Sequence, residues 1–176
     1  DLLPVLRRDG YKNPQYKIGD LTLTSTTMVV GGIVLTDSWT AEEYTVTFTV
    51  PEGATVTPTS RKVTFDAPYG TLPVPTQEGY NFNGGWTLNG TPVTAETKVT
   101  TVGDHALTAV RAAETYKVTF SAENATSSET ERTVTFGEKY GALPTVTREG
   151  WTYTGWTFED GTPVTADTVV AIAEDH

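Results

Sequence analysis

Residues 44–50 read Tyr44-Thr45-Val46-Thr47-Phe48-Thr49-Val50, and the same pattern returns as Tyr116-Lys117-Val118-Thr119-Phe120. Large apolar residues alternate with Thr or Lys, the period of a β-strand with one buried face. Moving outward, further matches keep a spacing of 70 to 72 residues, so the chain repeats a unit. Val63-Thr64-Phe65 recurs as Val134-Thr135-Phe136, and Tyr69-Gly70-Thr71-Leu72-Pro73 as Tyr140-Gly141-Ala142-Leu143-Pro144. Glu78-Gly79-Tyr80-Asn81-Phe82 followed by Trp86 matches Glu149-Gly150-Trp151-Thr152-Tyr153 followed by Trp156. Gly90-Thr91-Pro92-Val93-Thr94-Ala95 is copied by Gly161-Thr162-Pro163-Val164-Thr165-Ala166, and Asp104-His105 by Asp175-His176.

Within a unit the pattern predicts strands over 44–50, over Arg61 to Phe65 with Val63 and Phe65 inward, over Phe82 to Leu88, around Val93, and over Leu107 to Val110. Asn89-Gly90 and Asp160-Gly161 predict hairpin turns, because these residues accept positive φ. Leu72 to Gly79 predicts a crossover holding at most one helical turn, since Pro73 and Pro75 block a longer helix. The first 43 residues read as a degenerate third copy. Leu3-Pro4 matches Leu72-Pro73, Asp9-Gly10-Tyr11 matches Glu78-Gly79-Tyr80, Tyr16 stands where Trp86 and Trp156 stand, and Leu23-Thr24-Ser25 answers Val93-Thr94-Ala95. The expected organisation is therefore 1–43 as a partial copy, 44–112 as a complete one, and 113–176 as a copy lacking its last strand. Such a chain reads as a piece of a longer array. Its unpaired edges predict disorder near residues 1–43 or intermolecular pairing of the two ends.

Composition agrees with a strand-rich protein. The 176 residues include 36 Thr and 19 Val, whose β-branching suits a pleated surface. Net charge is −10, from 12 basic and 22 acidic residues, which opposes binding to nucleic-acid backbones and anionic lipid. There is no Cys, which removes thiol catalysis, disulfides and thiolate metal sites. No run approaches the length of a membrane span, and Asp1-Leu2-Leu3-Pro4 lacks the basic and apolar regions of a signal peptide.

The ordered set Tyr-x-Val-x-Phe, Tyr-Gly-x-Leu-Pro and Gly-Tyr-x-Phe-x-Gly-Trp resembles the internalin-type B repeat, also called the Listeria–Bacteroides repeat. The resemblance covers Tyr44 to Ala112 fully, Tyr116 to His176 nearly so, and Leu3 to Glu43 loosely. It implies an α+β fold of small β-grasp, ubiquitin-like units in an extended tandem array on a secreted or wall-anchored bacterial surface protein. It implies no catalytic residues, cofactor or metal. Three positions depart from the pattern: Tyr16 replaces the Trp, Gly85 adds a residue before Trp86, and Arg111 stands where an aromatic is common.

Candidate functional side chains are few. Trp86, Trp156 and Tyr16 could form a ladder of sugar-stacking platforms, but in a thin core each large ring is needed to fill its own unit. Trp39 and Trp151 are better candidates for exposure, because their counterparts vary. Glu159-Asp160 and the run from Glu123 to Glu131 lack the Asp/Asn spacing of a calcium loop and read as a solvated acidic face. His105 reads as a structural or solvated turn residue. Lys62, Lys117 and Lys139 could in principle crosslink to Asn or Asp, as in some surface domains, although their spacing does not argue for it. No catalytic, binding or metal residue is assigned. The function expected is a non-enzymatic stalk projecting a head domain, with neighbouring repeats of the same chain as partners. The alternatives are a glycan- or host-protein-binding module, or an accessory region of a secreted enzyme.

Overall fold

The computed structural model describes residues 6–23 and 35–176. The matches at Leu3-Pro4 and Thr24-Ser25 lie outside the described residues. In chain order the strands are β1 (Tyr11–Ile18), β2 (Leu21–Thr22), β3 (Thr36–Ala41), β4 (Glu43–Thr49), β5 (Ser60–Thr64), β6 (Tyr80–Asn81), β7 (Trp86–Leu88) and β8 (Thr91–Val93). They continue as β9 (His105–Ala109), β10 (Ala112–Ala113), β11 (Thr115–Thr119), β12 (Thr126–Ser127), β13 (Glu131–Thr135), β14 (Val146–Thr147), β15 (Trp156–Thr157) and β16 (Pro163–Val164).

The middle copy holds a five-stranded sheet in the order β5-β4-β9-β7-β8. β4 pairs antiparallel with β5 but parallel with β9, in the register Val46↔His105 to Thr49↔Thr108. β9 is the central strand, and its Leu107 is fully buried, with Val46 and Val99 equally so. Burial of one such Leu side chain contributes about 1.5–3 kcal/mol. The Thr positions alternate outward, as the sequence predicts.

The third copy repeats this interior. Val118, Phe120, Val134, Tyr140 and Val170 form its buried cluster, and they are the counterparts of Val46, Phe48, Val63, Tyr69 and Val99. Ring geometry is preserved: Phe48 to Trp86 is 5.0 Å between centroids and Phe120 to Trp156 is 5.2 Å. The first copy repeats strand register. Tyr16↔Asp37 and Lys17↔Thr36 in β1 and β3 stand for Trp86↔Ala109 and Thr87↔Thr108 in β7 and β9. Ile18↔Leu21 likewise stands for Leu88↔Thr91. Residues 11–22 and 36–41 thus pair within the chain as a three-stranded sheet.

Three expectations are corrected. The α+β class does not hold, because no helix occurs among the described residues and the crossover from Leu72 is irregular. The cause is local. Pro73 and Pro75 supply no N–H, and the carbonyls that a helix would use are taken by side chains. Arg61 donates to the carbonyls of Tyr69, Gly70 and Thr71, and the Trp86 indole donates to Pro73 O at 2.8 Å. Secondly, Asp160-Gly161 does not copy the Asn89-Gly90 turn. Asn89 and Gly90 both have positive φ, whereas in the later hairpin only Gly161 does. One added residue there gives a three-residue loop, with Phe158 N–H bonded to Thr162 O and Gly161 N–H to Phe158 O. Thirdly, Phe65 does not point into its own sheet.

Contacts divide the chain into two compact units: Asp1–Pro51, Val56–Pro75 and Gly85–Ala109 in one, Glu52–Thr55, Thr76–Gly84 and Val110–His176 in the other. A piece of the middle copy therefore groups with the third. The reason is the packing of its Gly79-Tyr80 turn, described next.

Candidate functional site

The same joint is built twice, once in each compact unit. In the first, Tyr11 pairs with Ala41, Gly10 O accepts the Glu42 N–H at 2.8 Å, and Glu42 O accepts the Phe65 N–H at 2.9 Å. In the second, Tyr80 pairs with Ala113, Gly79 O accepts the Glu114 N–H at 2.9 Å, and Glu114 O accepts the Phe136 N–H at 2.9 Å. Each Phe ring lies flat against a buried glycine. A Cβ at Gly10 would fall 2.4 Å from the Phe65 ring, and one at Gly79 would fall 2.3 Å from that of Phe136. Two tyrosines meet each Phe edge-on: Tyr11 and Tyr44 on Phe65, Tyr80 and Tyr116 on Phe136, at 5.4–6.5 Å. Trp39 packs on Tyr11 at 6.4 Å, and its counterpart Arg111 lies 4.4 Å above Tyr80. The varying position seen in the sequence is therefore the outer cover of the joint. The Phe that follows the second strand of one copy is held by the glycine turn of the copy before it.

The third copy of this turn, Gly150-Trp151, is exposed. Nothing lies within 4 Å of a Cβ at Gly150, and Trp151 is 69% exposed, with the Arg148 guanidinium 4.4 Å above its ring. Tyr153 is exposed beside it. Trp39 is half-buried and donates to Asp37 at 2.5 Å.

Trp86 is buried, and Trp156 and Tyr16 are half-buried. Both indoles serve the crossover, since Trp156 donates to Pro144 O at 2.9 Å as Trp86 does to Pro73 O. Their rings pack, tilted, on Phe48 and Phe120, so they plug cores. The two histidines are structural. His105 Nε2 meets the Tyr69 hydroxyl at 2.7 Å and its Nδ1 meets Gly103 O at 2.9 Å. His176 repeats this with Tyr140 at 2.5 Å and Glu174 O at 2.9 Å. A carbonyl only accepts, so Nδ1 carries the proton and Nε2 accepts from the phenol. Burial pushes both phenols above their ordinary pKa. The preceding aspartates cap the first strands, Asp104 accepting from the Thr45 N–H at 2.6 Å and Asp175 from that of Lys117 at 2.8 Å.

Glu129 and Glu131 of the acidic run, and Lys117 and Lys139 among the lysines, are engaged in surface ion pairs. Among the described residues no group of three or more Asp, Glu or His is placed to hold a metal ion. Lys117 pairs with Glu131 at 3.1 Å and Lys139 with Asp167 at 2.7 Å, all more than half exposed. Lys62 donates to Thr45. Arg132 grips the crossover as Arg61 does, donating to the carbonyls of Tyr140 and Ala142, and it is itself held by Glu129. Pro58 stands in the place of Glu129 one copy earlier, and Arg61 Nε is buried without a partner. Hydrogen bonds from Arg132, opposed by partial burial, hold the Glu129 carboxyl below its ordinary pKa. A depressed carboxyl contributes stability above its unfolded pKa, and this is lost as pH falls through its folded value. Glu129→Gln is therefore expected to flatten the acid limb of stability against pH, as measured by denaturant unfolding from neutral pH downward.

A family model described as the Listeria-Bacteroides repeat domain matches residues 44–110 and 116–176. Neither the curated proteins nor the solved structures gave a match.

Proposed function

This chain belongs to the Listeria-Bacteroides repeat domain family, and on that premise we propose that it is a non-enzymatic spacer of a bacterial surface protein. Families of this type are typical of such proteins, which supports an extracellular setting. The observation that carries the reading is the parallel pairing of β4 with β9, the first and last strands of the middle copy's sheet. Tension applied at the two ends of this sheet draws those strands in opposite directions along their length. Their hydrogen bonds are then loaded together in shear and cannot open one at a time. The strand order β5-β4-β9-β7-β8 also supports the β-grasp reading, with an irregular crossover where that fold carries a helix. The two copies of the glycine–Phe joint support a tandem array in which neighbouring repeats of the same chain are the principal partners.

Single-molecule stretching tests the proposal. The chain has no Cys, so introduced cysteines place the handles cleanly. Pulling through Asp9 and His176 is expected to give a discrete unfolding event for the middle copy. Handles at Glu43 and Thr64, which face each other across the antiparallel β4–β5 pair, peel one strand from the other and are expected to open it at lower force. Equal forces in the two geometries would remove the mechanical argument. The exposed Trp151 and Tyr153 favour a second reading, a glycan- or host-protein-binding module. A glycan and host-protein array with the native chain and a Trp151→Ala variant separates that reading from the first.

A further inference from the structure

The chain has five Asn, and the residues that follow them are Pro14, Phe82, Gly84, Gly90 and Ala125. An Asn side chain loses ammonia when the next main-chain nitrogen attacks its Cγ. Pro14 has no N–H to give up, and the side chains of Phe82 and Ala125 obstruct the ring closure. Gly84 and Gly90 obstruct nothing. The fold holds these two Asn-Gly pairs differently. Asn89 and Gly90 both have positive φ and form the two-residue turn between β7 and β8, closed by the Leu88↔Thr91 pair. In such a type I′ turn the first central residue has ψ of about +30°, which points the Gly90 nitrogen away from the Asn89 side chain.

Asn83 and Gly84 lie between β6 and β7, both exposed and outside any strand. Neither is at positive φ. The Asn83 N–H donates to Asn81 Oδ1 at 3.3 Å, but among the described residues no hydrogen bond engages the Asn83 side chain or the Gly84 N–H. Packing keeps position 84 a glycine. A Cβ there would fall 2.6 Å from Val110 Cγ1 and 2.8 Å from Val110 Cβ. The reactive successor is thus required by the fold, while the third copy dispenses with Asn and carries Thr154 in its place.

We propose that Asn83 is a site of spontaneous deamidation and isoaspartate formation, and that the product unseats Val110. Gly84 N bonds to Asn83 Cγ and gives its proton to water. The Cγ–Nδ2 bond breaks, and ammonia leaves with the bonding pair and a proton. Water then opens the succinimide. Attack at Cγ gives aspartate, and attack at the main-chain carbonyl gives isoaspartate, whose backbone runs through Cβ and Cγ. That route adds one carbon to the main chain just before Gly84 and shifts Gly84 against Val110. Water is the only co-reactant. The proposal goes beyond the spacer reading and does not depend on it.

The test ages the full chain in mildly alkaline buffer and maps isoaspartate with an isoaspartyl methyltransferase and peptide mass analysis. In the folded chain Asn83 is expected to react at least about tenfold faster than Asn89, because Asn89 reacts only after its turn opens. In denaturant the two are expected to react at similar rates, since both precede Gly. The Val110 methyl signals in NMR are expected to shift on ageing of the native chain but not of an Asn83→Gln variant. Equal rates in the folded chain, or faster loss at Asn89, would overturn the proposal. So would an Asn83 still intact after the unfolded chain has reacted fully, or isoaspartate at this position with the Val110 methyls unmoved.

Discussion

Gly79→Ala is expected to lower stability by about 3 kcal/mol, although it adds one methyl group. Two costs combine. Gly79 has φ +74°, a conformation that costs an L-residue about 1–2 kcal/mol. The new Cβ would also lie 2.3–2.5 Å from three atoms of the Phe136 ring, and overpacking of this kind costs about 1–3 kcal/mol. The ring cannot easily retreat, because Tyr80 and Tyr116 meet it edge-on and its own N–H is tied to Glu114 O. The chain contains its own control. Gly150 has φ +76° but no atom within 4 Å of the added carbon, so Gly150→Ala is expected to cost only the backbone part, about 1 kcal/mol. In a Phe136→Ala background the cost of Gly79→Ala is expected to fall to the same level. Denaturant unfolding of the four variants checks this, and equal losses at Gly79 and Gly150 would mean that the ring contact carries no energy.

That joint also marks the limit of what the sequence could tell. Alternation along 44–50 and 61–65 placed the strands, and the recurring Val46/Val118, Phe48/Phe120 and Tyr69/Tyr140 placed the core, because a period of two reports which side of a strand is buried. It does not report against what. Phe65 has the parity of the buried Val63, yet β5 ends at Thr64 and Asp66 turns the chain with positive φ. The ring is thereby delivered to Gly10. The usable signal was the joint recurrence of a glycine–aromatic pair and a Val-x-Phe strand end, which local periodicity treats as unrelated. The crossover was legible only in part: Pro73 and Pro75 exclude a longer helix, but the loss of even a single turn depends on carbonyls captured by Arg61 and by Trp86, side chains 8 to 13 residues away. His105 read as bland on its own, and only the structure gives it Tyr69 as a partner, a pairing that His176 and Tyr140 then repeat.

Trp86→Ala is expected to cost about 3–5 kcal/mol, the range for removing a buried aromatic and leaving its cavity. The indole loses contact with Phe48, and Pro73 O loses its donor, which by itself costs about 1 kcal/mol or more when the acceptor stays buried. Trp156→Ala removes the same ring from the same kind of neighbour, with the same hydrogen bond to a Pro carbonyl. It is expected to cost about 2 kcal/mol, because a half-buried ring leaves a site already partly open to water. The two substitutions differ chiefly in β9, which runs beside Trp86 and has no paired counterpart beside Trp156 among the described residues. Their difference therefore measures what one covering strand adds to the burial of a single ring. Far-UV circular dichroism during denaturant unfolding reads both variants without relying on tryptophan emission. If the two losses were equal, β9 would add nothing to the anchoring of Trp86. If Trp156→Ala were the larger, Trp156 rather than Trp86 would be the more firmly seated ring, and the half-burial of Trp156 would be the wrong guide to its contribution.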